Sequence, residues 1–263
     1  MIKNITLGQY FPGTSVIHRL DPRMKMLLTA ALIVLIFLVR TWGYLLILGL
    51  LAGTIALSRV NVKYILKGLK PLWFILLFTF VLNAFFYKGD TVLFEWEFIR
   101  LTSEGLMQAV YLAVRLIFLI TATTVLTLTT SPIELTDAME RLMKPLKLIR
   151  FPVHELAMMM TIAIRFIPTL LEETDKIMKA QTARGAEFDS GSIFKRAVNM
   201  VPLLVPLFVS AFRRADELAL AMESRCYKGG TGRTRMKVLH MHLRDWMAAG
   251  AMGGAIVFAA FGL

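Results

Sequence analysis

Residues 24–42, MKMLLTAALIVLIFLVRTW, run into residues 43–59, GYLLILGLLAGTIALSR, and this pair of stretches decides the fold class. A helix rising 1.5 Å per residue needs about 20 apolar residues to cross about 30 Å of hydrocarbon. Both stretches come close to that length. The break between them, Arg40-Thr41-Trp42-Gly43, pairs a tryptophan suited to the bilayer interface with a glycine suited to a tight turn. Similar runs follow at 70–87, 105–129 and 246–262, the first of them opening on Lys70-Pro71, where proline is tolerated in a first helical turn. Of the 263 residues, 57% are hydrophobic. Mean hydropathy is +0.64, above that of a soluble domain. The sequence thus predicts an all-α polytopic membrane protein with about five transmembrane helices. A layer of long amphipathic helices lies between the fourth and fifth spans.

Charge then orients the chain. Residues 1–25 and 59–70 carry Lys3, Arg19, Arg23, Lys25, Arg59, Lys63, Lys67 and Lys70 against Asp21 alone. On the opposite side, Arg40, Lys88 and Arg100 are outnumbered by Asp90, Glu95, Glu97 and Glu104. The excess of cations marks the cytoplasmic side, so the N-terminus is expected inside and, after five spans, the C-terminus outside. The first 25 residues carry scattered charge and lack a compact apolar core with a cleavage site, so no signal peptide is expected. A net charge of +12 follows from this topology, and nucleic acid is not an expected partner, since no aromatics interleave the basic positions on one exposed face. One cysteine, Cys226, excludes an internal disulfide.

The organisation expected is a membrane bundle over 1–130, a cytoplasmic domain over 131–245 and a last membrane helix over 246–263. Ser131-Pro132-Ile133-Glu134 reads as a capping box that starts a helix reaching about Lys147. Pro152 opens a second helix, amphipathic with Arg165, Glu172 and Glu173 on one arc, kinked at Pro168 and ending at Ala183-Arg184-Gly185. A third begins at Ser192 and ends at Ser224-Arg225-Cys226. Each of these two is about 30 residues, or about 45 Å of rod. The apolar stretches 156–164 and 197–212 are short for spans, and the second holds Pro202 and Pro206, so a buried or interfacial position is expected. An arginine closing each rod sits at the negative end of the helix dipole and points outward. Two such ends suit two sockets on another protein.

The ordered motifs resemble the transmembrane T component of energy-coupling factor transporters, which are bacterial vitamin and metal importers. The motifs begin with Leu7-Gly8-Gln9-Tyr10-Phe11-Pro12-Gly13 and His18-Arg19-Leu20-Asp21-Pro22-Arg23, then Thr130-Ser131-Pro132 and Arg165-Phe166-Ile167-Pro168. They continue through Ala180-Gln181-Thr182-Ala183-Arg184-Gly185, Arg213-Arg214-Ala215-Asp216-Glu217 and Ser224-Arg225-Cys226-Tyr227. The resemblance implies a multi-pass subunit of the bacterial cytoplasmic membrane that is not itself an enzyme. It implies that Arg184 and Arg225 dock two ATPase subunits and that a separate substrate-binding membrane subunit, the S component, carries the cargo. Serine and cysteine flank the second arginine where alanine and glycine are common, which leaves its role intact. The stretch 229–235 resembles the type that serves a shared set of S components.

Other candidates give way to structural readings. Gly8–Ser15 imitates a phosphate loop but has threonine at the lysine position. His154-Glu155 and His240-Met241-His242 lack the partners of a metal site, and no cofactor is expected. Arg115, deep in the fourth span, must pair or reach an interface, with Asn83 as a candidate partner and helix packing as its role. Arg165, Asp216 and Glu217 are expected to form ion pairs among the long helices. A self-contained carrier or channel, or the permease of another importer, would need a polar pathway through the bundle. An intramembrane enzyme would need paired ionisable groups, and Arg115 stands alone in the spans.

Overall fold

The computed structural model describes residues 10–39, 43–87, 91–96, 99–186, 188, 192–229 and 239–261. Residues 7–9 of the lead-in, the turn at 40–42 and residues 230–235 lie outside this set. The chain divides into two compact units, one built from 8–138 and 238–263, the other centred on 139–237.

In the first unit, α1 (Pro22–Leu38) starts at an Asp21 cap whose carboxylate accepts the Arg23 amide, with proline in the first turn. The second helix, α2 (Gly43–Ser58), follows, and α3 (Val62–Leu69) is capped by the Asn61 side chain. A 3₁₀ turn over Lys70–Leu72 absorbs Pro71 and leads into α4 (Trp73–Phe86). The third apolar stretch thus becomes helical eight residues before Lys70, because Asn61 supplies a cap the hydropathy pattern does not show. Among the described residues, one short hairpin interrupts the otherwise all-α chain. Strands β1 (Val92–Trp96) and β2 (Ile99–Thr102) pair antiparallel, with Glu95 in register opposite Arg100. Their β-branched and aromatic residues favour a pleated strand.

After the hairpin, α5 (Ser103–Thr129) is capped by Thr102 and runs 27 residues. In its successor α6 (Pro132–Leu142) the Glu134 amide donates to Ser131 Oγ at 3.3 Å, as the expected capping box requires. It stops at Leu142, and Pro145 diverts the chain into a 3₁₀ turn over Lys144–Ile149. The last helix of this unit is α10 (Leu243–Phe261).

The core of the first unit forms where α1 meets α2, α5 and α10. Leu35, Ile36 and Val39 pack with Ile47 and Leu51, with Phe118 and Ala122, and with Ala255 and Ala259. Alanines on α10 let the backbones approach closely, which matters where lipid is as apolar as leucine and packing must hold helices together.

A polar staple closes one end of this bundle. The Asp21 amide donates to Asp245 Oδ1 at 2.8 Å, while Asp245 Oδ2 accepts the His242 amide at 2.7 Å, so Asp245 caps α10 and ties it to the start of α1. Arg23 grips Asp21 through Nε and Nη2 and also donates to the Leu239 carbonyl. Lys25, 5% exposed, donates to the carbonyls of His18 and Thr129, the latter at the end of α5. His18 in turn takes Ser15 Oγ and the Phe11 carbonyl, and a Cβ on Gly13 would come within 2.8 Å of its ring. The His18–Arg23 motif is therefore a clasp, and the starts of α1 and α10 lie at one end of the bundle.

The second unit holds α7 (Val153–Ala183), α8 (Ile193–Asn199) and α9 (Val201–Ser224). The first of these stays helical through Pro168. Ser192 caps α8 as expected, and a break at Met200, two residues before Pro202, separates α8 from α9. Among the described residues, four helical stretches are long and apolar enough to cross a membrane, namely Val62–Phe86, Ser103–Thr129, Val153–Ala183 and Phe194–Ser224. Length and composition alone thus admit both long helices of the second unit as spans.

Candidate functional site: two arginine-capped helix ends

The two arginine triplets fold into the same backbone motif. At the end of α7, the Ala186 amide donates to the Gln181 carbonyl at 3.0 Å and the Gly185 amide to the Thr182 carbonyl at 3.0 Å. At the end of α9, the Tyr227 amide donates to the Met222 carbonyl at 3.0 Å and the Cys226 amide to the Glu223 carbonyl at 2.9 Å. Both patterns are Schellman caps, in which a left-handed residue turns the chain back onto the last helical carbonyls. Gly185 takes that position at φ 87° and Cys226 at φ 56°. The serine and cysteine of the second triplet therefore preserve the geometry of the first. Arg184 and Arg225 are the cap residues themselves, at φ −88° and −94°, and both are exposed. Each guanidinium stands at the negative end of a helix dipole, offering five donors in a rigid fork.

The helices that carry these ends run antiparallel. The Tyr227 hydroxyl donates to Met158 Sδ near the start of α7, whereas Glu173, further along, meets Ser210 and Arg214. Arg214 donates through Nε at 3.2 Å and through Nη2 at 2.9 Å to one Glu173 oxygen, and Ser210 Oγ donates to the other. Glu173 lies eleven residues before Arg184, and Arg214 lies eleven residues before Arg225. Eleven residues of helix span about 17 Å, so the crossing divides the pair into equal arms with their tips up to about 33 Å apart.

The ion pair across the crossing is not the one expected from sequence. Arg165, Asp216 and Glu217 are exposed and form no ion pair among the described residues, while Glu173 and Arg214 do. Sequence reasoning placed Glu173 and Arg214 on the right helices but had no register between them. Register comes from Ser210, a small hydroxyl on an otherwise apolar stretch. Tyr227 was legible only as part of a motif, and Lys25 only as one of the charges that orient the chain; Asp245 was not singled out.

One face of the second unit is apolar and uncovered. Phe194, Val198, Val201, Val205, Phe208 and Phe212 are all exposed, at alternating steps of four and three residues along α8 and α9. That spacing marks a single stripe able to receive another helix.

Arg115 sits about 18 Å along α5 and finds Tyr44 rather than Asn83. Its Nε donates to Tyr44 Oη at 3.2 Å and its guanidinium lies 5.5 Å from the Phe37 ring centre. Asn83 instead donates to the Thr79 carbonyl of its own helix. His154 pairs with Glu140 at 3.1 Å, and the His242 amide donates to Asp245 while its ring lies against the His240 carbonyl. Among the described residues no group of three or more His, Cys, Asp or Glu could hold a metal.

The family described as cobalt transport protein, CbiQ, matches residues 13–237. A protein of Ruminiclostridium cellulolyticum described as energy-coupling factor transporter transmembrane protein EcfT is 55% identical over 251 residues, covering 95% of this chain and 94% of its own. Its namesakes in Clostridium kluyveri, 57% identical over 251 residues, and Bacillus subtilis, 50% identical over 240 residues, cover 95% and 91% of this chain, and 93% and 91% of their own. With such identity sustained along nearly the whole sequence, the chain belongs to the EcfT family, and its function is that of the transmembrane coupling subunit of an energy-coupling factor transporter.

Proposed function

We propose that the subunit couples ATP hydrolysis to transport through α7 and α8–α9, which act as crossed levers at the cytoplasmic face of the bacterial membrane. Arg184 and Arg225 each dock a separate ATPase subunit, with Ala183 and Gly185, and Ser224 and Cys226, shaping the two ends. The exposed stripe along α8 and α9 meets a substrate-binding S component. In this reading 1–130 and 246–263 supply the five spans and 131–245 the coupling layer. The N-terminus lies in the cytoplasm and the C-terminus outside. The common end shared by α1 and α10 supports this topology, since two parallel spans place the termini on opposite sides.

One observation carries the proposal. Two triplets with different flanks fold to the same cap and hold an exposed arginine at equal distance from one crossing. Equal arms convert the approach of two motor subunits into rotation about Glu173–Arg214. A rotation of 10° moves each tip by about 3 Å on an arm of about 17 Å. The stripe lies along one of the arms, so a membrane partner seated on it turns with the lever.

The test is replacement of the tips in the intact complex. Arg184→Ala and Arg225→Ala should each weaken ATPase co-purification, as expected when about 2–5 kcal/mol of a buried, paired arginine is lost. The double variant should abolish uptake. Wild-type uptake in the double variant would overturn the proposal.

A further inference from the structure

The two tips are alike in backbone and unlike in what surrounds them. Beside Arg225 lies a hollow of about 440 Å³ between α7 and α9. Met158 and Ile162 of α7 and Leu218 and Met222 of α9 form its apolar part, all only half-buried. Arg225 and Lys228, both exposed, lie on its lining, and no carboxylate does. The Tyr227 hydroxyl on Met158 Sδ, at 3.1 Å, fixes one wall. At the other tip, Thr182, Ala183, Arg184 and Gly185 are all exposed.

We propose that this hollow is the second half of the Arg225 docking tip and receives an apolar side chain from an acidic segment of the ATPase subunit held there. The proposal rests on the reading of Arg225 as a docking residue. Three features identify the occupant. The volume falls within the range of sites that enclose a ligand group, about 300–1,000 Å³. The two cations without a lining carboxylate favour a partner segment carrying negative charge. The two methionines give a floor that re-packs around an aliphatic or aromatic side chain, and an arginine next to such a pocket is the usual make-up of an energetic centre at an interface. The arrangement makes the two tips unequal. Arg184 engages its ATPase as a plug alone, whereas Arg225 engages by exchange, each partner inserting a group into the other. A transporter with two different ATPase subunits would thereby fix which one sits at which end.

Cys226 provides the reporter, being the chain's one cysteine, exposed, and adjacent to Arg225. The experiment measures maleimide labelling of Cys226 and ATPase affinity in the full complex reconstituted in lipid nanodiscs. The variants are Ile162→Trp, which fills the hollow, and Lys228→Glu, which reverses a rim charge without altering a packed side chain. In the wild type, ATPase binding should protect Cys226. Each variant should weaken ATPase binding about tenfold, or about 1.4 kcal/mol, and restore labelling. If either variant binds as tightly as wild type while Arg225→Ala weakens binding, the hollow is unused and the proposal is overturned with the docking reading intact. If Arg225→Ala itself leaves affinity and protection unchanged, the docking reading fails and takes the hollow with it.

Discussion

Breaking the crossing at Glu173 is the most direct probe of the lever geometry. Its carboxylate accepts two bonds from Arg214 on one oxygen and one from Ser210 on the other. The side chains of Arg214 and Glu173 are 37% and 24% exposed, so water screens the pair substantially. Exposed pairs contribute about 0.2–1 kcal/mol, and bonds to fully desolvated charges about 1.5–3 kcal/mol. For a half-exposed, two-bond contact we expect about 1 kcal/mol from Arg214, with Ser210 adding a similar amount. Glu173→Ala should therefore cost about 2 kcal/mol. Glu173→Gln keeps one acceptor oxygen, enough for Arg214, and can turn its amide on Ser210 Oγ, so it should cost about half of that. The double-mutant cycle of Glu173→Ala with Arg214→Ala should give a coupling energy of about 1 kcal/mol. Stability is read from thermal unfolding in nanodiscs, and function from ATP-driven uptake in proteoliposomes. Because both arms turn on this point, uptake should fall more steeply than ATPase affinity, which depends on the tips. A coupling energy under about 0.3 kcal/mol would show that the two helices are registered by something else. Unchanged uptake in Glu173→Ala would refute the pivot.

Three further outcomes follow from the same contacts. Gly185→Ala should cost about 1 kcal/mol because φ 87° is left-handed, while Cys226→Gly should gain about 0.5–1 kcal/mol at φ 56°, both read by hydrogen exchange of the amides that close the caps. Asp245→Ala leaves the amides of Asp21 and His242 without their acceptor in a site only 1% exposed, and should cost about 3 kcal/mol with earlier proteolysis of α10. Tyr44→Phe removes the acceptor of Arg115 and should destabilise the bundle by about 1 kcal/mol, whereas Arg115→Met should shift thermal stability by less, since it removes the charge together with its need for a partner.

The helices were legible in the sequence wherever one local signal sufficed. Ser131-Pro132, Pro152 and Ser192 start helices as read, and Arg184-Gly185 and Arg225-Cys226 end them. Features that depend on register between distant segments were not legible. The pairing of Glu173 with Arg214 spans 41 residues and that of Asp21 with Asp245 spans 224, and hydropathy carries no phase information over such distances. Arg115 shows the same limit, because Asn83 was the partner named by depth and the packing of α2 on α5 supplies Tyr44 instead. The β1–β2 hairpin was missed for another reason. Its charges dominated the reading of topology and masked the strand pattern of Val92, Phe94 and Trp96 against Ile99 and Leu101. The antiparallel sense of α7 and α9, from which the equal arms follow, was never fixed by the sequence signals used.

The sparse burial of the long helices bears on why such a lever needs partners at all. Over its 31 residues α7 buries only Val153, and over its 24 residues α9 buries only Leu203. Helices this long with so little buried surface draw little stability from tertiary packing, which is the main source of helix stability in most proteins. What joins them is the Glu173 contact and, nearer the start of α7, the Tyr227–Met158 contact with the half-buried Ile162, Leu218 and Met222 beside it. A seam of half-buried contacts in place of a fully buried core leaves two rods stiff in length and able to shift against each other. Coupling requires that combination, because displacement at one tip must reach the stripe undiminished while the crossing angle follows the motors. Locking the two helices together tests this directly. A disulfide engineered between Glu173→Cys and Ser210→Cys, in a Cys226→Ala background, should lock the angle and stop uptake while ATPase subunits remain bound. Uptake that continued with the crosslink closed would mean that the levers do not turn on one another, and transmission would have to run through rigid-body movement of the whole unit.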